Sequence, residues 1–245
     1  MLEPGYDSIF EKYKIDDAVY TIPNYHNNEE AKFRIYKKDL VISPIIKQGD
    51  IWEPPVFSAL EKYIKPHHVV LEAGSFIGLH AVKISKICKK LICLEPVISS
   101  TNLLLHNLRI NGCSNVEIYP CAISDEVGFS KFQFISNGNP GSTVLENNTE
   151  QYSDTRPWDP LPEDNYNVPI FTIDFLNLET VDVIKLDVEG YEIKALMGAI
   201  DTIRKNKPIL IVEWWKEIEK TFQFIFDLGY KYERLNGYNY VFLPG

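Results

Sequence analysis

Residues 69 to 78 read VVLEAGSFIG, a strand that runs through Glu72 into a turn punctuated by Gly74 and Gly78 and then into a helical pattern. A buried strand feeding a glycine turn and a helix brings backbone N–H groups to the carboxyl edge of a parallel sheet. That requirement commits the chain to an α/β architecture with a ligand at that edge. A second strand, LICLEP, places Glu95 about twenty residues after Glu72, where an acid can accept both hydrogen bonds of a ribose diol. The ligand is therefore a nucleoside. The glycine spacing is E-x-G-x-x-x-G, whereas a dinucleotide needs G-x-G-x-x-G so that its pyrophosphate can approach the backbone. Glu72 would repel that anion and suits a cation. S-adenosylmethionine, with sulfonium and ammonium groups and no phosphate, is the cofactor expected, and a nicotinamide dinucleotide is the weakest contender.

From Val69 onward strands and helices alternate. After VVLEAG comes a helix with Ala81, Ile84, Ile87 and Cys88 on one face, then LICLEP, then a helix carrying Val97, Thr101, Leu105 and Leu108. NVEIYPCAIS reads as a third strand and GFSKFQFIS as an additional one. VDVIKLDVEG is the fourth strand of the series, followed by a helix with Ile193, Leu196, Met197, Ile200 and Ile203 as one apolar stripe. PILIVEWW continues the sheet. Helix EKTFQFIFDLG and the strands YKYERL and NYVFLP, turning at Asn236-Gly237, predict a hairpin closing one edge. Residues 1–65 differ: NEEAKFRIYKKDLVISPII alternates as a hairpin does, and WEPPVFSALEKYI predicts a helix started by proline. The division expected is an N-terminal accessory segment over 1–65 and one α/β domain over 66–245. Residues 136–167 are rich in Gly, Pro, Asn and Asp and too long for a plain connection, and are expected to form a lid over the acceptor.

The formal charge of −9 argues against a broad phosphate-binding surface, so nucleic acid is not the expected partner. No run approaches a membrane span, and the amino terminus lacks a cationic and apolar leader, so a soluble, cytoplasmic protein is expected. Cys88, Cys93, Cys113 and Cys121 have no C-x-x-C spacing and are expected to be free thiols.

With VVLEAGSFIG, LEP, NLRINGCSNVEIYPCAISDEVG, IKLDVEGYE, LMGA and the terminal LGY and NYVFLP in this order, the chain resembles the FkbM family of S-adenosylmethionine-dependent methyltransferases over roughly residues 50 to 243. The resemblance implies a Rossmann-like seven-stranded sheet, mostly parallel, with an antiparallel strand in the C-terminal hairpin. It implies O-methylation of a sugar, glycan or small secondary metabolite. By the same resemblance, Gly74, Ser75 and Gly78 shape the turn against the methionine moiety, and Glu72 favours its ammonium through charge and ordered water. Glu95 holds the ribose, backbone around Ala122 and Ile123 frames the adenine, and Glu53 in IWEPP approaches the cofactor from the accessory segment. Glu72 and the run Ala73-Gly74-Ser75-Phe76 stand where the family more often has Asp and Gly-Ala-Asn.

Methyl transfer to oxygen needs alignment and a proton acceptor. In IKLDVEGYE the strand period puts Lys185 and Asp187 on one face, with Asp187 at the carboxyl end and Glu189 and Glu192 just beyond. Asp187 is the first candidate, and two roles are open to it. Asp187 or Glu189 acts as general base or orients the hydroxyl while Lys185 compensates charge. Alternatively, Asp187 and Glu213, at the end of the next strand, hold Mg²⁺ against the acceptor oxygen. Lys185 also reads as a snorkelling strand residue, and Glu192 as an acid at a helix N-terminus. His80 reads as a capping or surface histidine, or as a proton acceptor; Trp214 and Trp215 read as core residues or sugar platforms. The rival functions are an RNA ribose methyltransferase and a non-catalytic binding module of the same fold.

Overall fold

The structure, a computed structural model, describes residues 15–133, 139–145, 166–214 and 218–245. A hairpin of β1 (Tyr20–His26) and β2 (Glu29–Phe33) leads to helices α1 (Ile42–Lys47) and α2 (Pro54–Tyr63). The alternating part follows as β3 (Val69–Ala73), α3 (Leu79–Ile87), β4 (Lys90–Leu94), α4 (Ile98–Ile110) and β5 (Val116–Tyr119). Four short strands come next: β6 (Ala122–Ile123), β7 (Gly128–Ser130), β8 (Phe132–Gln133) and β9 (Val144–Leu145). The remainder is β10 (Val168–Phe171), β11 (Val183–Leu186), α5 (Glu192–Met197), α6 (Ile200–Asn206), β12 (Ile209–Glu213), α7 (Ile218–Asp227), β13 (Tyr230–Asn236) and β14 (Asn239–Pro244).

Seven strands form the central sheet in the order β13-β14-β12-β11-β3-β4-β5. β12, β11, β3, β4 and β5 run parallel, and β14 is antiparallel to both of its neighbours. The expected Rossmann-like sheet with its antiparallel C-terminal strand is thus observed. The chain leaves β3 toward β4 on one side, while β11 pairs with β3 on the other. A crevice at such a reversal of strand order, outside the carboxyl ends, is where an open α/β sheet binds ligands. Among the described residues no helix is long and apolar enough to cross a membrane. All four cysteines are free.

Three local expectations are corrected. NVEIYPCAIS is two strands in two sheets, because Pro120 has no N–H to continue the ladder. The second piece, β6, pairs in parallel with β10 in a small sheet beside the main one. The stripe after β11 is divided between α5 and α6, and Met197 is exposed. Gly198 interrupts it: a Cβ there would lie 2.1 Å from the carbonyl oxygen of Ser124, and its own carbonyl accepts the Asp174 N–H at 2.9 Å. The run Ile42–Ile46, read as part of a hairpin, is helical, because Asp39 satisfies the helix entrance. Its carboxylate accepts the N–H groups of Val41, Ile42 and Ser43 at 2.8, 3.1 and 2.7 Å.

The N-terminal segment is not peripheral. Ile22, Phe33, Ile46 and Phe57 share one hydrophobic core with Ala81 and Ile84 of α3 and Leu103 of α4. Asn107 of α4 stitches them together. Its amide accepts the Arg34 N–H at 2.8 Å and donates to the carbonyls of Arg34 and Ile77 at 3.0 and 2.8 Å, with the side chain fully buried. Substitution Asn107→Ala strands these backbone groups away from water. The expected cost is about 3 kcal/mol, seen in calorimetry as a fall in Tm on the order of 10 °C.

Candidate active site

The glycine turn is set by contact as well as by sequence. Gly74 has φ +81°, and an ideal Cβ on it would lie 1.7 Å from the carbonyl oxygen of Asp187. The first turn therefore lies directly against the end of β11, and only glycine fits. Gly78, at φ +90°, precedes α3, and a Cβ there would meet Leu104 at 2.7 Å. Ser75 is buried, and its hydroxyl donates to the Glu72 carbonyl at 3.4 Å.

Glu95 ends β4 in a fixed pose. Its two carboxylate oxygens accept the N–H groups of Phe76 and Val97 at 2.7 and 2.9 Å. Burial pushes its pKa up to about 7 against the pull of those two bonds. A carboxylate so held keeps free lone pairs on both oxygens for a diol.

A cavity of about 160 Å³ lies across the crevice. Of the residues expected to bind cofactor or act in catalysis, Gly74, Glu95, Ala122, Ile123, Asp187, Glu189 and Glu213 line it. Ala122 and Ile123 reach it from β6, beside Leu145 of β9. Asn139, Gly141 and Thr143 line it too, so the described part of the expected lid borders the cavity. Residues 146–165, with the RPW of that lid, lie outside the described residues, as does Trp215. Trp214 is a core residue, set edge-on to Phe222 and Phe242.

Glu72, Ser75, Gly78, Lys185 and Glu53 are not among the lining residues. Glu72 is wholly buried, with Lys185 Nζ 3.5 Å from its Oε1, an ion pair too long and misaligned for a hydrogen bond. Burial raises its pKa and Lys185 pulls it back. Lys185 does not snorkel. It is 3% exposed, and its ammonium lies 3.4 Å from Asp187 as well. Burial depresses its pKa, but the carboxylates of Asp187, Glu72, Glu53 and Glu213 outweigh that and raise it.

Glu213 and Asp187 sit side by side rather than apart. The Asp187 carboxylate first, and burial second, raise the Glu213 pKa, so that the pair disfavours carrying two negative charges. Glu53 precedes α2 with a left-handed φ of 53°, and its Oε1 accepts a 2.8 Å bond from Asn239. Burial and then Asp187 raise its pKa. Glu192 braces the loop after β11 by accepting the Val188 and Gly190 N–H groups at 3.2 and 3.1 Å. His80 is buried, which overturns its assignment to a cap or the surface. The signal was present in the sequence: His80 falls at helical spacing from Ile84 and Ile87, on the buried stripe. Trp52 and Phe76 at the cavity were not anticipated.

Among the described lining residues none is Lys or Arg, whereas four are carboxylic acids. Such a cavity suits a cationic nucleoside and disfavours pyrophosphate. The residues present therefore fit S-adenosylmethionine. A sheet of this order, with an acid at the end of β4 and a cavity over its reversal point, is what the resemblance to S-adenosylmethionine-dependent methyltransferases implied. The Methyltransferase FkbM domain matches residues 72–232, and the chain belongs to that family.

A crystal structure of methyltransferase FkbM from Methylobacillus flagellatus KT is similar at 16% identity and a TM-score of 0.53, over 73% of this chain and 44% of that one. The present chain thus spans less than half of that protein's length, and the likeness is one of fold. An rRNA methylase from Streptococcus thermophilus aligns at 9% identity and TM-score 0.47, over 78% of this chain and 96% of that one. Precorrin-6y C5,15-methyltransferase from Geobacter metallireducens GS-15 aligns at 14% and 0.47, over 86% and 91%. No curated protein sequence matches the chain.

Burial pushes Glu192 up to about 7 as it does Glu95. Both groups keep a proton in the native state that the unfolded chain loses above its ordinary carboxyl pKa, so their contribution to stability is lost as pH rises from about 4.5 to 7. Thermal unfolding should show Tm falling across that window. Glu192→Gln, which cannot titrate, should flatten the fall.

Proposed function

We propose that the protein is an O-methyltransferase that transfers a methyl group from S-adenosylmethionine to a hydroxyl of a saccharide or small metabolite. The carrying observation is the lining of the cavity: Glu95, Asp187, Glu189 and Glu213 with no Lys or Arg among its described residues. In this reading Glu95 accepts the ribose hydroxyls, and Val97, Ala122 and Ile123 pack on the adenine. Gly74 and Phe76 lie under the methionine moiety. When bound, the cofactor supplies an electrophilic methyl group on a sulfonium.

Asp187 orients the acceptor hydroxyl and takes its proton, held in place by Lys185 on one oxygen, with the Glu213 carboxyl beside it. Most of the rate advantage comes from alignment, worth up to roughly 7–11 kcal/mol in favourable cases. Asn139, Thr143 and Trp52 offer amide, hydroxyl and aromatic contacts of the kind a sugar face needs. The acidic lining disfavours a polyphosphate strand, and with it an RNA acceptor.

Calorimetric titration with S-adenosylhomocysteine should give micromolar binding that Glu95→Ala weakens about tenfold or more. Asp187→Asn should retain that affinity and lose about a hundredfold or more in turnover. Full turnover by the Asp187 variant would remove its assigned role, and absence of binding by the folded protein would leave a non-catalytic module.

A further inference from the structure

His80 has no part in the scheme above, yet its surroundings are those of a ligand. The side chain is 8% exposed, and Nε2 is buried without a hydrogen-bond partner. A buried polar nitrogen left in that state costs about 1–3 kcal/mol. The ring packs 5.2 Å from Phe57. One of its nitrogens, one carboxylate oxygen of Glu53 and one of Asp187 all lie within 4.8 Å of one another.

These three residues come from separate parts of the fold: the entrance of α2, the first turn of α3 and the end of β11. Both acids are oriented by a second partner. Asn239 donates to Glu53 at 2.8 Å, and Lys185 lies 3.4 Å from Asp187. Outer partners of this kind aim carboxylates at a metal. The left-handed backbone at Glu53, ahead of Pro54 and Pro55, is a costly conformation for a non-glycine residue.

We propose that Glu53, His80 and Asp187 form a binding site for a divalent transition-metal cation of the Mn²⁺ or Zn²⁺ type. An imidazole and two carboxylates are a mixed nitrogen and oxygen set that favours such ions over Mg²⁺ or Ca²⁺, which take oxygen alone. Ligands at about 2.1 Å in a tetrahedral arrangement stand about 3.4 Å apart, so small side-chain rotations close the site. This set differs from the Asp187 and Glu213 pair expected from the sequence: it takes Glu53 and His80 in place of Glu213. Asp187 lines the cavity, so a cation held there would lie at the cavity wall, where it could polarise an oxygen brought against it. Its use in polarising an acceptor hydroxyl rests on the methyl-transfer reading. The binding site itself does not.

The test uses the full chain stripped with a chelator and then titrated with Mn²⁺, with free ion followed by electron paramagnetic resonance, and with Zn²⁺ and Mg²⁺ by calorimetry. One Mn²⁺ or Zn²⁺ per chain is expected, bound more tightly than Mg²⁺. His80→Ala and Glu53→Gln should each weaken it about tenfold or more, with circular dichroism showing both variants folded. The affinity of His80→Ala for S-adenosylhomocysteine should stay within about threefold, a difference of under about 1 kcal/mol. No stoichiometric binding, or equal binding by the His80 variant, would overturn the site. Loss of S-adenosylhomocysteine binding with no metal bound would instead assign Glu53 to the cofactor ammonium and also overturn it. Metal binding by a wild-type chain that fails to bind S-adenosylhomocysteine would leave this site standing and reject the cofactor reading.

Discussion

Gly74 passes so close beneath the carbonyl of Asp187 that a Cβ would lie 1.7 Å from its oxygen, and the geometry of the cavity follows from that contact. The parallel register of β3 with β11, Ala73 opposite Leu186, brings the two strand ends level. A further backbone bond from Asp187 N–H to Ala73 carbonyl, at 3.1 Å, ties the chains together past the last ladder pair. The glycine turn and the Asp187 end of β11 are thus parts of one junction. Hydrogen bonds from Gly74 N–H to the Leu94 carbonyl, and from Phe76 N–H to Glu95, extend the junction to β4. The two sides of the cavity are held in mutual position by backbone, the least compliant material available.

On this frame the protein concentrates acid. Glu72, Glu53, Asp187 and Glu213 surround Lys185, and burial makes each additional negative charge costly. Asp187 and burial accordingly raise the Glu213 pKa. The remaining charge is an attraction waiting for a cation, which the sulfonium cofactor can meet on the cavity side. Next to the accessory segment, where His80 has no hydrogen bond for its buried Nε2, a small hard-to-borderline cation is the better match.

The segment ahead of β3 is as much a part of the site as the sheet. The backbone of Arg34, just after β2, is bonded to Asn107 of α4, and that of Lys32 in β2 to Asn111 just past α4, and the Tyr36 ring stacks on Phe76 at 5.8 Å. Trp52 and Ile42 line the cavity from the same segment. Its role is to close one side of a crevice that the sheet alone leaves open.

Much of this was legible beforehand for a definite reason. Buried parallel strands must be apolar runs and their helices must show a 3.6-residue stripe, so VVLEAG, LICLEP, VDVIKL and PILIV could be ordered from the sequence alone. Glycine at positive φ and an acid at a strand end are chemical necessities, which marked Gly74, Gly78, Glu95 and Asp187 for attention. What alternation could not reveal was partnership across the chain. Pro120 breaking the third strand, Gly198 dividing a helix against Ser124, and Asp39 turning an alternating run into α1 each depend on a neighbour distant in sequence or on a side-chain bond. Lys185 read as a charge-compensating or snorkelling residue and His80 as a cap, a surface residue or a proton acceptor, because a lysine or histidine pays to be buried; the tertiary structure supplied the carboxylates around the first and the aromatic wall beside the second. The sequence by itself determined the sheet and the glycines and acids along its carboxyl edge, since these follow from local periodicity and residue type. The fold alone decided which charges face one another, because electrostatic pairing depends on distance in space and not on separation along the chain.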